Sequence, residues 1–191
     1  MTDQRKEHNL PLQRIELGRA RGIAEAVVRL LGPYCLPGDG VPAFGGHTLI
    51  QVAGSIRRNR PWVHDIDIVL APEPRYGWGF NEAVRKLGRI NKHGPQLVQI
   101  ITPGNIQIDL YLAGVDTWWT LLLIRTGSAR HNIGLCQRAK LKGYTLHADG
   151  TGLEELDNKK IIIPRSEEDI FRILGLEYRR PEERECPWRS G

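Results

Sequence analysis

The chain of 191 residues has only three cysteines, Cys35, Cys136 and Cys186, and they form no C-x-x-C pair. Odd in number and far apart, they offer neither a disulfide framework nor a thiolate zinc site. The six histidines show no paired spacing either, so these residues read as ordinary core or surface groups. No run approaches the ~20 consecutive apolar residues that a membrane-spanning helix needs. The opening MTDQRKEHN is too polar and too mixed in charge for a signal peptide. These absences point to a soluble intracellular protein, of cytoplasm or nucleoid, or of a virion. No internal repeat is present, and no Ser-His-Asp or Cys-His constellation suggests a protein nucleophile.

Acidic residues are missing from two long stretches. Between Glu82 and Asp109 there is none, while Arg85, Lys86, Arg89 and Lys92 occur; between Asp116 and Asp149 there is again none, against Arg125, Arg130, Arg138, Lys140 and Lys142. The overall charge of +5 is a weak signal of a polyanionic partner, but its distribution sharpens it. Solvated basic helix faces would give the same pattern.

An apolar content of 40% allows one ordinary domain or two small ones sharing a core. Apolar residues near 3.6 spacing predict a helix over 10–31, stopped at Gly32-Pro33, and the Gly- and Pro-rich stretch 32–46 reads as a loop. HTLIQVAG predicts a strand entering a Gly54-Ser55 turn. In HDIDIVL, alternation places Ile66, Ile68 and Leu70 on one face and Asp65, Asp67 and Val69 on the other. A helix is expected from Asn81 as its cap, over NEAVRKLGRI, then a strand in QLVQIIT. In NIQIDLYLA, Gln107, Asp109 and Tyr111 share the polar face. A helix pair broken at Thr126-Gly127-Ser128 follows, then short strands in YTLHADG and KKIIIP. The last predicted helix, SEEDIFRILGL, is capped by Ser166 with Asp169 and closed by Gly175. The residues ECPWRSG read as a frayed tail. Trp118 and Trp119 read as core packing rather than as stacking platforms.

Three aspartates converging from adjacent strands would make the oxygen-rich pocket that hard divalent cations take. Two such ions lower the pKa of an attacking hydroxyl and stabilise the leaving oxygen of an in-line phosphoryl displacement. In the turn, Gly54 lets backbone N–H groups approach a phosphate, Ser55 offers a hydroxyl, and Arg57 or Arg58 supplies charge; alternation does not decide between the arginines. D-x-D alone also occurs in caps, turns and calcium loops.

The stretches AGSIRRNRPWVHDIDIVL, IQIDLYL, LLIRTGSARHNIGLCQRAKLKGYTL and SEEDIFRILGLEYRRPEERE resemble the palm and thumb of family X DNA polymerases, over about residues 10–185. The G-S-x-R-R…D-x-D element belongs to nucleotidyltransferases generally; TGS…N and YRRPEERE are more specific. The resemblance implies an α+β fold, with a nucleotidyltransferase palm over 1–117 (a mixed sheet with flanking helices) and a small α/β thumb over 118–191. It implies that Asp65, Asp67 and Asp109 hold two Mg2+ ions, or Mn2+, with Asp109 nearest the primer hydroxyl. Gly54, Ser55, Arg58 and Arg14 would bind the triphosphate, Gly127 and Ser128 the sugar, and Asn132 the base. Arg125, Arg130, Arg138, Lys140 and Lys142 would meet DNA.

The chain departs from the family pattern where Ile124 and Arg125 replace an aromatic pair, Gln107 an arginine and Cys136 a template-contacting arginine. It leaves no room for an amino-terminal lyase domain or helix-hairpin-helix modules. The implied partners are gapped or primer-template DNA and a nucleoside triphosphate, with no membrane and a monomeric state. The implied reaction is nucleotide addition to a primer 3′-hydroxyl, in gap filling during repair. Template-independent transfer is the alternative. A non-catalytic DNA-binding module is a third reading, opposed by carboxylates that would repel DNA unless metals offset them.

Overall fold

A computed structural model describes residues 14–38 and 48–185. The expectations for residues 10–13, most of the Gly-rich loop, Cys186 and the tail lie outside the described residues. The elements are β1 (Ile15–Glu16), α1 (Leu17–Leu31), β2 (Ile50–Val52), α2 (Gly54–Arg57), β3 (Trp62–Val63), β4 (Asp65–Leu70), α3 (Gly77–Leu87) and β5 (Arg89–His93). They continue with β6 (Leu97–Ile101), β7 (Gln107–Leu112), α4 (Trp118–Thr126), α5 (Ala129–Leu141), β8 (Tyr144–Leu146), β9 (Leu153–Glu155), β10 (Ile161–Ile162) and α6 (Glu167–Ile173).

Strand alternation builds the main sheet, ordered β2-β4-β7-β6-β5, in which β4 and β7 run parallel and the other neighbours antiparallel. Ile66, Ile68 and Leu70 of β4 and Ile108 and Leu110 of β7 share one fully buried face. It packs on Ala20, Ala24, Val27 and Leu31 of α1 and on Phe80, Ala83 and Val84 of α3. The α1 residues repeat at three and four, one helical stripe. The opposite face is covered only in part: α4 lays Trp118, Leu121 and Leu122 against Val69. Trp118 is fully buried and Trp119 packs on the same cluster, as expected of core residues. The uncovered end of that face carries the aspartates. This is the expected α+β architecture, a mixed sheet with flanking helices.

Several boundaries differ from the sequence reading. The first helix starts at Leu17 because Ile15 and Glu16 are extended and pair with Val63 and Trp62. The Gly54-Ser55 segment is a four-residue helix rather than a turn. The α3 helix begins four residues before Asn81, which is therefore not its cap. Two glycines in GWGF argue against helix by propensity, yet Gly79 serves packing: a Cβ there would lie 2.7 Å from Tyr34 Cε1. Ile90, read as the end of that helix, belongs to β5, and β9 was not foreseen.

The second unit stacks α5 and α6 on the sheet β10-β9-β8 around Leu135, Leu146, Leu153, Ile170 and Phe171. Ser166 caps α6 by accepting from Asp169 N at 3.0 Å, while the Asp169 carboxylate accepts from Arg165 N. The helix ends in a Schellman pattern, with Leu176 N donating to Phe171 O and Gly175 N to Arg172 O. A buried ion cluster joins the units. Arg57 and Arg184 each donate two bonds to Glu167, all at 2.8–3.2 Å.

Candidate active site

Each aspartate owes its place to strand period and register. Asp65 and Asp67 point to the same face of β4, and the parallel pairing sets Asp67 directly opposite Asp109 of β7. Oxygen atoms from all three carboxylates lie within 4.8 Å of one another. Burial, then the charges of Asp65 and Asp109, push the Asp67 carboxyl up to about 7. Asp65 is raised as well, by burial first and then by Asp109. Such crowding of like charges calls for a cation. The donor set is hard oxygen, so the residues fit divalent magnesium or manganese.

Two supports surround the carboxylates. Gln107 Nε2 donates to both oxygens of Asp109 at 3.2 and 3.0 Å, and Gln99 Nε2 donates to Oδ1 at 3.0 Å. Asn91 Nδ2 in turn donates to Gln99 Oε1 at 2.6 Å. Asp109 is thus oriented by neutral amides, with no side-chain cation paired to it among the described residues. On the other side, the Tyr111 hydroxyl donates to Asp67. The Arg125 guanidinium carbon lies 4.3 Å from the Tyr111 ring centroid, in cation–π contact. Tyr111 was not singled out as a site residue from the sequence; its position two residues after Asp109, on the same strand face, was the available signal.

Asp65 and Asp67 line a cleft of about 670 Å³ whose wall also includes Arg14, Gly54, Ser55, Arg58, Arg125, Gly127, Ser128 and Asn132. That volume suits a small-molecule ligand. Ser55 Oγ is buried with no hydrogen-bond partner among the described residues, an open donor facing a ligand site. Gly54 has φ +56°, and a Cβ on it would fall 1.8 Å from Asp67 Oδ2. The helix α2 also separates the two arginines. Arg57 turns away to Glu167 and to Thr126 Oγ1, while Arg58 lines the cleft, donating to Thr126 O and, at 2.6 Å, to Glu185 Oε1.

The remaining expected residues divide. Ser128 caps α5, accepting from His131 N, and donates to Arg184 O at 2.7 Å. Asn132 Nδ2 donates to Ile124 O at 2.8 Å. Of the basic set, Arg130, Lys140 and Lys142 are exposed. Arg138 instead spends its guanidinium on the carbonyls of Leu174 and Gly175 at the end of α6, and Arg125 sits in the cleft rather than on the outer face of α5.

The sequence model described as the DNA polymerase beta thumb matches residues 121–185. DNA polymerase lambda of Rattus norvegicus is 26% identical over 170 residues, covering 75% of this chain and 30% of that protein. The chain therefore spans about a third of that relative's length. In fold it is similar to Leishmania infantum polymerase beta, solved as a ternary P/T complex, with TM-score 0.70 and 22% identity over 92% of this chain and 78% of that one. By the thumb match, the relative and the shared fold, this chain is similar to the family X DNA polymerases.

Proposed function

We propose that the protein is a metal-dependent nucleotidyltransferase that adds a nucleotide from a nucleoside triphosphate to a DNA primer 3′-hydroxyl. The observation carrying this reading is the convergence of Asp65, Asp67 and Asp109, the first two lining one cleft with the Arg58 guanidinium and with a Ser55 hydroxyl that has no hydrogen-bond partner among the described residues. Residues 1–117 act as the palm and 118–191 as the thumb.

Two divalent ions, Mg2+ or Mn2+, held by the three aspartates, would supply Lewis acidity to the attacking hydroxyl and to the leaving oxygen. The chain's own residues do the rest. Ser55 Oγ donates to a phosphate oxygen, Arg58 and Arg14 neutralise the polyphosphate, and Gly54 keeps the backbone close enough to meet it. Gln99 and Gln107 hold Asp109 toward the primer hydroxyl. The hydroxyl oxygen bonds to the α-phosphorus as the bond to pyrophosphate breaks. Ser128 braces the bend beside the sugar, and Asn132 lies within reach of the base. Arg130, Lys140 and Lys142 give a salt-dependent hold on DNA phosphates, with the protein acting as a monomer.

Extension of a labelled primer on a one-nucleotide gap, an open template and a bare single strand tests the reading, with Mg2+ or Mn2+ and each sugar type. Gap-favoured, templated addition is the expected outcome and suits a role in repair. Extension without regard to template would assign terminal transfer instead, and no extension on any substrate would contradict the polymerase reading.

A further inference from the structure

The guanidinium assigned above to the triphosphate already holds an anion from this chain. Arg58 Nε donates to Glu185 Oε1 at 2.6 Å, and Arg60 Nε lies 3.7 Å from the same oxygen. Both arginines line the cleft. The residue before Glu185 is anchored firmly. The Arg184 side chain is fully buried on Glu167, and its carbonyl accepts from both N and Oγ of Ser128. The backbone therefore delivers Glu185 from a fixed point, while its side chain stays 31% exposed and able to swing away.

A carboxylate and a phosphate use the same edges of a guanidinium. Two anions cannot occupy those edges together without strong repulsion, so an entering phosphate has to displace Glu185. A triphosphate compensates by its several charges and by reaching Ser55 and Arg14 as well. A single phosphate makes too few contacts to do so.

We propose that Glu185 is a built-in competitor at the phosphate subsite and sets the cleft's discrimination against anions shorter than a triphosphate. The inference rests on the phosphate-binding role proposed above for Arg58. A passive strut, holding Arg58 in place for the ligand, would have the opposite consequence when its charge is removed.

Calorimetric binding of inorganic triphosphate and of orthophosphate, without DNA, separates these roles in the wild type, Glu185→Gln, Glu185→Ser and Arg58→Gln. Melting curves report the fold of each. The competitor role predicts that Glu185→Gln and Glu185→Ser bind triphosphate on the order of tenfold tighter, with a larger gain for orthophosphate, so that the ratio between the two narrows. The gain should vanish when Arg58→Gln is added. Weaker or unchanged triphosphate binding in both Glu185 variants would overturn the proposal, as would a gain that survives Arg58→Gln. Failure of every protein to bind triphosphate would instead remove the phosphate site itself, and this proposal with it.

Discussion

Gly54 and Asp67 are in such close approach that a Cβ on the glycine would fall 1.8 Å from the carboxylate oxygen Oδ2. With φ at +56°, the position is also one that other residues adopt only under strain. Gly54→Ala should therefore displace Asp67 and lower single-nucleotide incorporation by about a hundredfold, since small misplacements of a reacting group cost that much. Incorporation near the wild-type rate would show that the approach is not needed.

Tyr111→Phe keeps the ring under Arg125 but removes the hydroxyl that donates to Asp67. That hydrogen bond lowers the Asp67 pKa, so its loss raises the carboxylate's proton affinity further. The rising limb of the pH–rate profile should move to higher pH, and more magnesium should be needed for half-maximal rate. Paired pH and magnesium titrations of the two proteins check both shifts.

The raised pKa of Asp67 also has a stability consequence. In the folded, metal-free protein burial and the neighbouring carboxylates push the group up to about 7, above the ordinary carboxylate range. The folded state thus binds this proton more tightly than the unfolded chain does. The stabilisation is full below the ordinary carboxylate range and is lost as pH rises through about 7. Melting in chelator should fall between pH 5 and 8, Asp67→Asn should flatten that fall, and magnesium should restore the wild type most at pH 8. A melting temperature that rises over this range would mean that other groups dominate.

Glu167 receives both Arg57 and Arg184 with its side chain only 3% exposed. Glu167→Ala leaves two guanidinium groups without their anion, a loss of about 3–5 kcal/mol by analogy with other broken buried pairs. Urea denaturation measures it; a change below about 1 kcal/mol would place the cluster among pairs of little net worth.

The aspartates were legible in the sequence because period-two alternation puts residues 65 and 67 on one face whatever the sheet around them. The same alternation put Asp109 on the polar face of its strand, but its place directly opposite Asp67 was not legible, since register between β4 and β7 depends on strands far apart in sequence. The choice between Arg57 and Arg58 turned on the helix α2: adjacent residues there point about 100° apart, one to Glu167 and one to the cleft. Glu167 and Arg184 had no local signature, because their pairing is a tertiary event. In α3, close packing of Gly79 on Tyr34 carries the helix through GWGF, four residues ahead of the expected cap at Asn81, against the low helix propensity of its glycines.

The central claim, that the carboxylate cluster performs metal-dependent nucleotide transfer, is tested most directly by single-nucleotide incorporation into gapped DNA by the wild type, Asp67→Asn and Asp109→Asn, with DNA binding measured alongside. The account predicts magnesium-dependent incorporation by the wild type and a loss of at least about a thousandfold in both variants, with DNA binding retained. Incorporation by either variant at a rate near the wild type would contradict it.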